Sequence, residues 1–158
     1  ASEGQVIAVA PGEYEEQLDV NKALTLLGPN AGIPGIGNRN AEAVITSDDT
    51  TGLSAKLRIT AENVIIKGFT FDNMRINNCD DDTGTNDDLI GGIAIENNIF
   101  TNIVGTTIYL RDGRNAPGVY SNDVSIRNNK IDAPGADMGD VNVDLFCSLT
   151  LPVRSSIP

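Results

Sequence analysis

Nine consecutive residues, Asp80-Asp-Asp-Thr-Gly-Thr-Asn-Asp-Asp88, gather five aspartates and an asparagine around one glycine. A hard cation such as Ca²⁺ takes about six to eight oxygen ligands. Asp80, Asp82, Asn86, Asp87 and Asp88 are therefore the candidate metal ligands, with calcium as the candidate ion. The spacing is not that of an EF-hand, because the alternating Asp/Asn frame before the glycine is broken and the closing Glu is missing. The competing reading is a solvated acidic loop. A second candidate is Arg111-Asp112-Gly113-Arg114, which follows a strand pattern at Thr107-Ile-Tyr-Leu110. Lyase chemistry on a uronic acid needs Ca²⁺ to acidify the proton beside the carboxylate and a basic residue to remove it. Arg111 or Arg114 is placed to be that base, with Asp112 beside it, unless the segment is simply a salt-bridged turn. Outward Ser, Thr and Tyr patches offer a third chemistry, the binding of neutral sugar.

Other chemistries are excluded within this sequence. It contains no His, so triads and other mechanisms that use imidazole as base or ligand are absent. Two cysteines, Cys79 and Cys147, cannot build a Cys/His zinc site without His. They either pair with one another or remain thiols. The formal net charge of −11 repels nucleic acid and anionic membrane surfaces. It also disfavours polyanionic glycans unless divalent cations bridge the two. No apolar run approaches the length needed to span a bilayer.

The elements that must carry these residues repeat. Asn63-Val-Ile-Ile-Lys-Gly-Phe-Thr-Phe-Asp-Asn73, Gly92-Ile-Ala-Ile-Glu-Asn-Asn-Ile-Phe-Thr-Asn102 and Asp123-Val-Ser-Ile-Arg-Asn-Asn-Lys-Ile-Asp-Ala133 can be superposed, and they begin 29 and 31 residues apart. Such a period marks a solenoid. Each unit is short strand, polar corner, short strand, which is one coil of a parallel β-helix. The aromatic content of 4% leaves stacked Ile, Val and Leu to form the core. No segment carries a 3.6-residue apolar stripe.

Superposition turns the repeats into columns. Leu24, Val64, Ile93 and Val124 share one inward column, and Leu26, Ile66, Ile95 and Ile126 the next. Phe71, Phe100 and Ile131 form a third on the following strand. Thr25, Ile65, Ala94 and Ser125 face outward, as do Leu27, Lys67, Glu96 and Arg127. The last three alternate in sign at a strand spacing of about 4.8 Å. Gly28, Gly68, Asn97 and Asn128 occupy the corner, where a residue that tolerates positive φ is expected. Stacked Asn side chains there are expected to bond one another in a ladder.

One resemblance accompanies these patterns. Val6 to Gly32, with Pro11-Gly12-Glu13-Tyr14-Glu15-Glu16-Gln17-Leu18 and Leu24-Thr25-Leu26-Leu27-Gly28, resembles the opening coils of right-handed parallel β-helix proteins of the pectate-lyase-like superfamily. It is most similar to the pectin methylesterase branch and its uncharacterised relatives, whose first motif is matched by Gly12, Tyr14 and Glu16. The resemblance implies that Gly12 makes a turn, that Tyr14 is a capping ring, and that the chain begins just inside a larger domain. That family works with two Asp carboxylates, Gln donors and an Arg. Here no Gln follows Gln17, and the Gln-Asp-Thr and Asp-Phe-Ile-Phe-Gly segments are missing.

The expected fold is all-β: a right-handed parallel β-helix of about five or six coils. It is one domain over 1–158, with loop insertions near 29–42 and 74–90 and an irregular tail at 146–158. The expected function is an extracellular or cell-surface, non-catalytic module that presents a carbohydrate- or surface-binding flank. The alternatives are a fragment of a polysaccharide lyase or pectin-esterase-like enzyme, and a structural spacer in a large surface protein. Exposed coil edges allow end-to-end self-association.

Overall fold

In a computed structural model the described residues are 1–47, 56–78, 91–103, 106–111, 123–132 and 141–144. They contain fifteen short strands and no helix: β1 (Gln5–Ala8), β2 (Gly12–Glu15), β3 (Leu18–Val20), β4 (Leu24–Leu27), β5 (Ala43–Thr46), β6 (Lys56–Ile59), β7 (Ile65–Lys67), β8 (Thr70–Asp72), β9 (Arg75–Asn77), β10 (Ala94–Glu96), β11 (Ile99–Thr101), β12 (Ile108–Arg111), β13 (Ser125–Arg127), β14 (Lys130–Asp132) and β15 (Val141–Asp144). Every third strand pairs in parallel, giving three five-stranded sheets: A (β1-β4-β7-β10-β13), B (β2-β5-β8-β11-β14) and C (β3-β6-β9-β12-β15). The chain visits A, B and C in turn and climbs one strand on each circuit. It is a parallel β-solenoid, as the repeats require.

The inward columns of sheets A and B contain the expected Leu26, Ile66, Ile95, Ile126, Phe71, Phe100 and Ile131, and sheet C adds one that was not foreseen. In sheet A, Ile7, Leu26, Ile66, Ile95 and Ile126 register directly. In sheet B, Tyr14, Ile45, Phe71, Phe100 and Ile131 do the same. The Phe71 and Phe100 rings stack with centroids 5.2 Å apart. Sheet C supplies Leu18, Leu57, Ile76 and Ile108, with Val141 next in backbone register. Ile66, Ile95, Leu57, Ile76 and Ile108 are wholly buried. Each such side chain removed from water contributes about 1.5–3 kcal/mol, so the axial stack is the main source of stability.

The vertices are built from left-handed residues. Gly68 (φ 81°), Asn97 (58°) and Asn128 (58°) turn the chain from sheet A to sheet B. Gly28 does not share this torsion, contrary to expectation. The chain leaves the solenoid there for the 29–42 segment, so no tight corner is needed. Gly28 is required for closeness instead: a Cβ would lie 2.3 Å from the Gly68 carbonyl oxygen. Two further sets of left-handed residues complete the triangle. Asn63 (57°), Gly92 (66°) and Asp123 (65°) precede sheet A, and Asn73 (52°) and Asn102 (56°) leave sheet B. They stand at the first and last positions of the repeats.

The asparagine ladder also lies one residue further on and bonds main chain rather than other side chains. Buried Asn98 donates through Nδ2 to the Ile66 carbonyl (3.0 Å) and accepts from Phe69 N–H on Oδ1 (3.0 Å). Asn129 repeats this one rung on, donating to the Ile95 carbonyl (2.8 Å) and accepting from Asn98 N–H (2.8 Å). Each amide stands in for the strand pairing that the bend interrupts.

Two boundaries change. Met74 is buried and β9 follows at once, so the acidic excursion begins after this third side of the coil, not at 74. Gly12 is a strand residue rather than a turn, and Tyr14 ends the aromatic column, its hydroxyl donating to the Ala10 carbonyl at 2.9 Å.

The vertex chemistry sets an order of mutational cost. Asn98→Ala orphans a buried N–H and a buried C=O, and is expected to lower the unfolding free energy by about 2–5 kcal/mol. Asn128→Gly, which keeps access to positive φ, is expected to change it by less than about 1 kcal/mol. Urea unfolding measures both; equal losses would contradict this account.

Candidate functional site

The candidate ligands Asp80, Asp82, Asn86, Asp87 and Asp88 lie outside the described residues, as do Asp112, Arg114, Cys79 and Cys147. Arg111 ends β12, in register with Asp144 of β15. Among the described residues no three acidic or thiol side chains gather into a group able to hold a metal. The functional surfaces that can be built are the three outer flanks and one hollow.

The flank of sheet A is an ion column. Glu96 is almost wholly buried and lies between Lys67 and Arg127 on the neighbouring strands. Lys67 Nζ reaches Oε2 at 2.9 Å, while Arg127 Nε and Ser125 Oγ donate to Oε1 at 2.7 and 3.0 Å. Burial pushes the Glu96 carboxyl up, but these donors outweigh it and the net displacement is downward. With its oxygens already bonded, Glu96 is a structural group.

The flank of sheet B alternates carboxylate and hydroxyl: Glu15, Thr46, Asp72, Thr101 and Asp132. Asp72 Oδ1 accepts from Thr101 Oγ1 (3.1 Å) and from Asn102 Nδ2 (2.6 Å). Beside its first rung a hollow of about 110 Å³ is lined by Glu15, Glu16, Gln17 and Ser47. It contains the Glu of the Gly12-x-Tyr14-x-Glu16 motif.

The flank of sheet C differs in kind. Its central column reads Asp19, Arg58, Asn77 and Tyr109, with Asn142 next in backbone register. Arg58 clamps Asp19 through Nε (2.8 Å) and Nη2 (2.5 Å), cancelling both charges. This fork draws the Asp19 carboxyl below its ordinary range. The remaining two are an amide and a phenol. Asn77 is 3% exposed, yet its Oδ1 has no hydrogen-bond partner; Thr107, just before β12, is fully buried with Oγ1 in the same condition. Buried acceptors are usually satisfied; Thr70 Oγ1 and Asn97 Oδ1 share this condition elsewhere in the solenoid. The sequence marks the outward positions, because aliphatic residues stand beside them (Leu18-Asp-Val20, Leu57-Arg-Ile59, Ile76-Asn77 and Ile108-Tyr-Leu110), while their alignment comes from register.

The strands themselves carry no net charge. The fifteen described strands carry seven Lys/Arg and seven Asp/Glu, so the whole net charge of −11 falls on the connecting segments. Sheet C strands carry four cations (Lys56, Arg58, Arg75, Arg111) against two anions (Asp19, Asp144).

Glu96 gives a pH signature. A carboxyl lowered by folding stabilises the fold fully above its ordinary value, here 4.5, and that contribution disappears as pH falls through the folded value. Glu96→Gln is therefore expected to cost about 1–3 kcal/mol at pH 7. The gap to the unaltered protein should shrink steadily below about pH 4.5. Urea titrations at several pH values read this directly, and a gap that stays constant into acid would refute a charge-based role.

Comparison with protein-family models, curated proteins and solved structures found nothing that matches this chain.

Proposed function

We propose that this chain is a non-catalytic carbohydrate-binding β-helix module of the extracellular space or cell surface, with sheet C as its binding flank. The observation that carries the reading is the central column of sheet C, where the Arg58–Asp19 pair, Asn77 and Tyr109 stand in register without net charge. A tyrosine ring offers an apolar face with a polar tip, which suits a sugar ring and its hydroxyls. Parallel rungs repeat the same backbone position about every 4.8 Å, which suits a ligand that is itself a linear repeat. The self-cancelling Asp19–Arg58 clamp keeps one end of the column without net charge. Residue-level resemblance at Gly12, Tyr14 and Glu16 to the pectin methylesterase branch of the pectate-lyase-like superfamily supports a carbohydrate context.

A second reading, a fragment of a carbohydrate-active enzyme, is favoured by the hollow lined by Glu15, Glu16, Gln17 and Ser47, where that motif ends. No membrane role is invoked; among the described residues no helix is long and apolar enough to cross a bilayer.

A glycan array followed by calorimetric titration tests the reading. The unaltered chain should retain at least one neutral or uronate-containing oligosaccharide. Asn77→Ala and Tyr109→Ala should each weaken that binding about tenfold, equivalent to about 1.4 kcal/mol. Thr46→Ala, on the flank of sheet B, should leave it unchanged. A blank array would favour a spacer, and ultraviolet absorbance from unsaturated uronate product would favour the enzyme; either result overturns the proposal.

A further inference from the structure

Between β4 and β5 the chain leaves the solenoid, and residues 28–42 run lengthwise over the vertices that join sheets A and B. Gly28 N donates to the Lys67 carbonyl (2.8 Å), and Asn30 N donates to the Gly68 carbonyl (3.4 Å). Asn97 Nδ2 donates to the Ala31 carbonyl at 2.6 Å. Gly35 N reaches the Asn128 carbonyl at 2.8 Å. One short segment thus touches three successive vertices, at 67–69, 97–98 and 128–130.

Its fit is tight at both ends. A Cβ on Gly68 would lie 2.1 Å from Ala31 N, and one on Gly35 would lie 2.5 Å from the Asn98 carbonyl oxygen and 2.6 Å from Lys130 N. Between them sits Arg39, whose side chain is 6% exposed. Its Nη1 donates to the carbonyls of Asn97 (2.7 Å) and Ile33 (3.1 Å), and Nη2 to the carbonyl of Phe69 (3.3 Å). Nε and Nη2 also fork onto Glu42 at 2.6 and 2.9 Å. Buried Asn30 closes the segment on itself, with Oδ1 accepting from Asn40 N at 2.7 Å and Nδ2 donating to the Asn40 carbonyl at 3.3 Å.

A buried guanidinium needs a full set of acceptors. Arg39 finds them only when the vertices of two different rungs are already in place. Repeat arrays otherwise couple each unit only to its neighbours, so they tend to open from an end. Here a bond from Gly35 to Asn128 and a cation shared by Phe69 and Asn97 skip over intermediate interfaces. We propose that residues 28–42 form a longitudinal clasp, with Arg39 as its pin, that makes three vertices of the solenoid open together rather than rung by rung.

Native-state hydrogen exchange on the full chain tests this. The readout uses amides bonded between vertices: Gly68 N, Asn97 N, Ile99 N and Lys130 N. In the unaltered protein they should share one opening free energy. In Arg39→Gln the Lys130 amide should exchange at least tenfold faster than the Gly68 amide, with the remaining strand amides slower than both. Gly35→Ala, which unseats the far end and leaves Arg39 intact, should produce the same splitting. Separate openings in the unaltered protein would overturn the proposal. So would uniform acceleration of every protected amide in both variants, which is simple loss of stability. Should Arg39→Gln fail to fold, Gly35→Ala and the unaltered chain decide the matter on their own.

Discussion

The fold depends on one constraint: the backbone must turn sharply at each vertex without leaving main-chain polar groups unpaired. Positive φ supplies the turn, and Gly, Asn and Asp are the residues that accept it at low cost. Every left-handed residue among those described belongs to this set. Bending alone would orphan an N–H and a C=O on each rung. Asn98 and Asn129 close that gap with side-chain amides that bond the preceding rung. Only with the corners satisfied can the aliphatic columns stack.

The same accounting explains the buried ions. Glu96 and Arg39 are charges placed where water is scarce, and each is surrounded by complementary groups. Glu96 takes a lysine, an arginine and a serine. Arg39 takes one carboxylate and three backbone carbonyls. Removing one partner from such a set costs more than the set gains by forming, because the remaining charge stays buried. These groups therefore fix register and seating more than they add stability. Glu42, pushed up by burial, is brought below its ordinary range chiefly by the Arg39 fork, so the carboxylate that seats the pin stays ionised at neutral pH.

Much of this was legible in the residues, and the failures have causes. Val64, Ile66 and Phe71 announce inward faces because alternation is local and strict, and their partners 29 and 31 residues on repeat it. β9 was hidden because Met74-Arg-Ile76 is short and borders the acidic run. β2 was hidden because Gly-Glu-Tyr-Glu has a single inward residue, Tyr14, and three that read as turn. Arg39 gave no signal at all, since its acceptors at Phe69 and Asn97 are backbone atoms far along the chain. The aliphatic residues beside Asp19, Arg58, Asn77, Tyr109 and Asn142 showed where outward residues would lie, but not that they would form one column. That alignment follows from register, which is a property of the wound chain.

Charge partition connects the column to its proposed ligand. A net −11 would ordinarily be read as an acidic surface that turns away anionic ligands. The strands themselves are balanced, seven against seven, and the excess sits in the segments between them. With a Debye length of about 8 Å at physiological salt, the charges of the described strands that act most strongly on a flank are those on the rungs beneath it. Along the central column of sheet C the described side chains are a self-cancelling pair, an amide and a phenol. A neutral sugar would meet no opposing charge from them. The acidity of the whole chain is therefore compatible with the proposed neutral ligand, whose recognition would rest on Tyr109 and the column it belongs to.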